Sequence, residues 1–154
     1  MSRVLAKDDC DNPDALKQIA ICLQREAQHV PLNKIPLAVW SCAFLKIERK
    51  YIILRKFSNR ICEPPIKDIY DEADLGRIAY SFAKANFDEG NNGLYKKISE
   101  AALPKIKTFS QQHLYTLLTA FGSLRFYDIQ LFTAAAKRIG EFENFDSNLL
   151  PLYY

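Results

Sequence analysis

Six cations crowd one short stretch of the chain. Lys46, Arg49, Lys50, Arg55, Lys56 and Arg60 lie between positions 46 and 60, with Glu48 as the only carboxylate among them. The local excess is five positive charges, so the remainder of a chain whose formal net charge is +3 carries −2. Lysines and arginines concentrated in this way neutralise phosphates, and Tyr51 in their midst offers a ring on which a base can stack. The competing reading is a solvated helix face whose later cations sit where the helix dipole favours them anyway. A pI near 8.6 is mild for a dedicated nucleic-acid binder, so the distribution of charge says more than its sum.

Catalytic chemistry fails on inventory. The two histidines, His29 and His113, have no nucleophile and carboxylate in a recognisable arrangement around them. Neither zinc-ligand spacing nor a glycine-rich phosphate loop is present. Asp68, Asp71, Glu72 and Asp74 cluster as a cation site would, but carboxylates at the start of a helix serve equally as caps and dipole partners. Cys10, Cys22, Cys42 and Cys62 are far apart and form no Cys-x-x-Cys pair, which reads as reduced thiols in an intracellular compartment. The residues therefore point to a non-catalytic protein with no metal, cofactor or small-molecule substrate.

The elements that would carry the cations are amphipathic helices. Leu114, Leu117, Leu118, Phe121 and Leu124 form one apolar stripe on a helix that Ser110 can cap. A second helix follows Asp128, turns Ile129, Phe132, Ala136 and Ile139 inward, and stops at Gly140. The same hairpin can be laid on two earlier stretches anchored at Leu75 and Ile35. Three positions after the anchors stand Leu117, Ile78 and Ala38; seven after, Phe121, Phe82 and Cys42; twelve after, Phe126, Phe87 and Ile47. Six and eight positions on, the residues are small: Ala120, Ser81 and Ser41, then Gly122, Ala83 and Ala43. Small residues let a neighbouring helix approach to about 8 Å, and a period of roughly 40 residues marks stacked helical pairs. An irregular helical domain with look-alike helices is the alternative.

These observations predict an all-α fold in one domain of 154 residues: an α-solenoid of about three helical hairpins with an N-terminal capping helix. Residues 1–30 hold a lead-in and the cap helix, started by Asn12-Pro13-Asp14 and running to about Gln28. The repeats occupy 31–66, 70–107 and 109–141, and 145–154 is a truncated repeat or tail. Pro36 is tolerable in a first turn, Pro64-Pro65 ends the first repeat, and Pro104 stops or kinks the second helix of the next. Leu149, Leu150, Leu152, Tyr153 and Tyr154 form an apolar end that something should cover, and a partner subunit is favoured over self-capping. No apolar run approaches the roughly 18 residues of a membrane span. The opening Met-Ser-Arg-Val-Leu-Ala-Lys-Asp-Asp turns acidic too early for a presequence, so a targeting peptide is expected to be absent or already removed.

The motif Leu-x-x-apolar-apolar-aromatic-small-x-small, followed by a short turn and an Ala-rich second helix, resembles the octotricopeptide and heptatricopeptide repeats of organellar proteins. These include the repeat regions of FAST kinase-like and RAP-domain proteins. The resemblance covers about Pro31 to Ile139, with Trp40-Ser41 and Tyr80-Ser81 matching the family's aromatic-small pair in part and Thr119-Ala120 departing from it. It implies an α-solenoid of the mitochondrial matrix, or of a plastid, that binds RNA, ribosomal RNA foremost, or works in a ribonucleoprotein. On that reading Lys46, Arg49, Lys50, Lys56, Arg60 and Arg125 contact RNA, with Lys46 and Arg125 both eleven positions after their anchors. The alternative is a protein-binding adaptor or accessory subunit of a large mitochondrial assembly without RNA contact.

Overall fold

The computed structural model describes residues 12–87 and 93–142, and among these there are seven α-helices and no strand. They are α1 (Pro13–Glu26), α2 (Ile35–Phe44), α3 (Lys50–Cys62), α4 (Glu72–Lys84), α5 (Leu94–Ala102), α6 (Gln111–Ser123) and α7 (Ile129–Gly140). Short 3₁₀ segments at Leu32–Lys34, Ile66–Asp68 and Leu103–Thr108 join them.

The helix starts are fixed by the caps that the sequence advertises. Asn12 Oδ1 accepts from the amides of Asp14 and Ala15 at 3.1 Å each, Asp71 from Asp74 at 2.8 Å, Ser110 from His113 at 3.2 Å and Asp128 from Leu131 at 3.1 Å. Each satisfies an amide that has no partner inside its helix. Pro36 lies in the first turn of α2, where its missing N–H costs nothing, and Pro104 falls in the 3₁₀ segment that ends α5.

The first helices of successive pairs pack side by side, α2 on α4 and α4 on α6. α1 packs on α3 and α3 on α5, while α7 lies against the Leu103–Thr108 segment. The anchors Ile35, Leu75 and Leu114 and the residues seven beyond them, Cys42, Phe82 and Phe121, are all fully buried. Ser41 and Ser81, six positions after their anchors, are also fully buried, and each hydroxyl donates to the carbonyl four residues earlier, Leu37 at 3.0 Å and Arg77 at 2.7 Å. A hydroxyl satisfied within its own helix enters the interface without an unpaired polar atom.

One contact shows that α4 and α6 start level. A Cβ on Gly76, the second buried residue of α4, would stand 3.5 Å from the carbonyl oxygen of His113 and 3.7 Å from Thr116 Cγ2, both in the first turns of α6. Close approach therefore occurs at Gly76. Gly122, expected to serve that purpose, has open space where a side chain would begin.

Two devices recur from pair to pair. The first ends α4 and α6. Asn86 and Arg125 take left-handed backbone angles with φ of 50° and 55°, Phe87 N donates to Phe82 O and Phe126 N to Phe121 O at 3.0 Å each, and the amides of Asn86 and Arg125 reach Ala83 and Gly122. This is the Schellman pattern, and its usual apolar contact is made by ring pairs, Phe82 with Phe87 at 5.0 Å and Phe121 with Phe126 at 5.5 Å.

The second device closes each pair onto its own beginning. A cation late in the pair donates to the main-chain carbonyl five residues before the anchor: Arg60 to Val30, Lys105 to Tyr70 at 2.6 Å, and Arg138 to Phe109 at 3.5 Å. These carbonyls sit where the chain turns into a first helix and find no amide partner there, so a charged donor from the end of the pair supplies one.

Candidate nucleic-acid interface

The basic stretch folds into the turn between α2 and α3 and into α3 itself, and there its cations divide. Lys50 Nζ donates to the carbonyls of Ala43 at 3.2 Å and Leu45 at 3.1 Å, capping the end of α2. Lys56 Nζ reaches Gln24 O at 3.0 Å, and Arg60 Nη1 reaches Ala27 O at 2.9 Å as well as Val30 O, so both hold the end of α1. Unpaired carbonyls at helix C-termini attract positive charge, so these three side chains are committed to internal acceptors. Arg55 lies over the Phe87 ring, 5.0 Å from its centroid.

Lys46, Arg49 and Arg125 are exposed. Lys46, Glu48 and Arg49 rim a cleft of about 730 Å³ between the α2–α3 turn and α1, with Leu16, Ala20 and Ile53 along it. Arg125 stands two pairs away, in the turn between α6 and α7. α4 and α6 start level, and α2 meets α4 both near its start, where the Tyr70 hydroxyl donates to Leu32 O at 2.9 Å, and near its end, where Lys84 lies over Phe44. The turns that hold Lys46, Asn86 and Arg125, each eleven positions after its anchor, therefore follow helices aligned side by side along one edge. The seven cations thus divide between a partly internal cluster on α3 and the turns that hold Lys46, Arg49 and Arg125.

A second surface lies on the first helices themselves. Trp40 and Phe44 of α2 stack with ring centroids 4.6 Å apart, Phe44 stacks with Tyr80 of α4 at 6.1 Å, and Lys84 Nζ lies 5.8 Å from the centroid of Phe44. All three rings are half-buried. Leu37 and Arg77 precede Trp40 and Tyr80 by three residues on the same faces and are exposed. Asp74 lies 4.0 Å from Arg77, and burial raises its carboxyl pKa. In α6 the corresponding positions hold Thr116, Thr119 and Ser123, so the aromatic character belongs to the first two pairs. Trp40 and Tyr80 are visible in the sequence as the aromatic position of the motif. Phe44 and Lys84 are not, although each lies nine positions after its anchor, a second face that a comparison of pairs brings out.

The remaining sequence candidates are structural. Burial pushes the Cys42 thiol up to about 12, so it stays protonated at neutral pH, and Cys22, Cys42 and Cys62 are free thiols. Of the acidic cluster, Asp71 is a cap and Glu72 accepts from the Thr108 hydroxyl, which lowers its carboxyl pKa. Among the described residues no group of three or more potential ligands is placed to hold a metal ion. No helix among them is long and apolar enough to cross a membrane. Leu149, Leu150, Leu152, Tyr153 and Tyr154 lie outside the described residues. No family model, curated protein or solved structure matches the chain.

Proposed function

We propose that the chain is a non-catalytic helical-repeat protein that binds single-stranded RNA as part of a ribonucleoprotein, the mitochondrial ribosome foremost, with α1 closing one end of an α-solenoid. The observation that carries this reading is the stacked row Trp40, Phe44 and Tyr80 with Lys84 against it, spanning two neighbouring helices. Half-buried rings held in place by their neighbours and flanked by cations suit unpaired bases, every one of which has a face to stack. The surface spans the first helices of two neighbouring pairs, and repeat proteins read extended ligands across adjacent units in this way. A location in the mitochondrial matrix or a plastid belongs to the same reading.

Trp40 is the only tryptophan in the chain, so its fluorescence reports on this face alone. Titration with an oligouridylate should quench or shift that emission, and Lys84→Glu should weaken the effect. Unchanged emission at strand concentrations that saturate a mobility-shift assay would remove the row from the interface. Absence of any binding would remove the RNA reading.

A protein-binding adaptor is the second reading, favoured by Leu37, which is 42% exposed beside Trp40 and would suit the apolar face of a partner helix. Copurification with a protein assembly free of nucleic acid, reduced by Leu37→Glu, would support it over RNA.

A further inference from the structure

Arg49 and Arg125 share an unusual pair of properties. Both take left-handed backbone angles, φ 55° in each case, and both are followed two residues later by an exposed tyrosine, Tyr51 at 53% and Tyr127 at 68%. The left-handed region crowds the Cβ of any L-residue, and glycine or asparagine fills it at least cost. The chain itself shows the low-strain solution in each setting. The residue that caps the second helix of a pair in this conformation is Arg49 before α3 and Gly93, φ 68°, before α5. At the end of a first helix it is Arg125 after α6 and Asn86, φ 50°, after α4. Both arginines therefore occupy positions that the same fold fills elsewhere with Gly or Asn. Neither guanidinium is needed for the turn, whose hydrogen bonds are main-chain to main-chain: Ile52 N to Arg49 O, and Arg125 N to Gly122 O.

Strain of this kind persists where the side chain has other work. Resting on the RNA-binding reading, we infer that the Arg49–Tyr51 and Arg125–Tyr127 turns are two matching clamps for a single RNA strand. Each guanidinium holds a phosphate and each tyrosine stacks a neighbouring base. The two turns lie two helix steps apart on one edge, roughly 16 to 20 Å at ordinary interhelix spacing. A strand anchored at both would run alongside the ends of α2 and α4, which carry Phe44 and Lys84. Arginine suits this contact better than lysine because its planar fork binds phosphate oxygens in pairs and stacks against aromatic rings.

The inference makes a prediction that a merely structural role does not. Arg49→Gly with Arg125→Gly should raise the thermal midpoint, because strain is relieved, and weaken binding of a fluorescein-labelled oligouridylate. Losing two phosphate contacts should lower the slope of log K against log salt by about 1.4. Tyr51→Ala with Tyr127→Ala should weaken binding at least about fivefold and leave the salt slope unchanged. Asn86→Gly, the control, should raise the midpoint with no change in binding. Wild-type protein that binds while the double glycine variant retains its affinity and slope overturns the clamps and leaves the RNA reading standing. Wild-type protein that binds no oligouridylate overturns both.

Discussion

Lys105 Nζ lies 2.6 Å from the carbonyl oxygen of Tyr70, joining the end of the second helical pair to the residue just before its beginning. Arg60 on Val30 and Arg138 on Phe109 make the same junction in the other two pairs. The repeat that the apolar stripe suggests thus extends to a polar contact with no side chain at its accepting end.

Lys105→Met should therefore destabilise the fold by about 1 to 3 kcal/mol, because it keeps the length of the side chain but leaves the Tyr70 carbonyl without its charged donor. Arg60→Met should cost at least as much, since Arg60 serves both Ala27 and Val30. Urea unfolding measures both. Variants as stable as wild type would show that water replaces the donor without loss.

Gly76 and Gly122 should respond in opposite directions. Gly122→Ala, with open space at its Cβ, should stabilise the protein by about 0.5 to 1 kcal/mol through helix propensity. Gly76→Leu, driven against the His113 carbonyl, should cost about 1 to 3 kcal/mol by overpacking. Equal effects at the two sites would contradict the close approach of α4 to α6.

Asp128 accepts from the Ser99 hydroxyl at 2.7 Å and from the Leu131 amide, and both hydrogen bonds lower its carboxyl pKa. A folded pKa below the unfolded value of about 3.9 means that the unfolded chain binds the proton more readily. The contribution is therefore present above about pH 4 and is lost as pH falls through the folded value. Glu72 acts in the same direction through Thr108, whereas burial raises the Asp74 pKa and opposes both. Asp128→Asn should flatten the acid limb of a stability-against-pH curve and leave the neutral region nearly level. A limb as steep as wild type would place the acid sensitivity elsewhere.

Much of the scaffold is legible in the residues. Asn12, Asp71, Ser110 and Asp128 announce helix starts because a cap is a local event, settled by three or four consecutive residues. The anchors and the apolar residues twelve beyond them, Ile47, Phe87 and Phe126, show in the periodicity for the same reason. The cation junctions do not show, since their partners lie 29 to 35 residues apart and the acceptors are carbonyls that every residue possesses. Lys50, Lys56 and Arg60 accordingly look like a phosphate-binding patch in one dimension, and in three they donate to main-chain carbonyls near helix ends. Gly76 was hidden differently: it sits one place from an anchor, outside the small-residue positions that the alignment of pairs brings forward.

Each pair closes on itself within about one repeat of chain, and that has a kinetic meaning. Contacts of short sequence separation cost little loop entropy, so such proteins fold fast and can begin at more than one place. A pair whose last turn is pinned to its first residue is also a natural unit of local opening. Hydrogen exchange should then report protection that changes in blocks, with boundaries near Val30, Tyr70 and Phe109, where one pair ends its hold and the next begins.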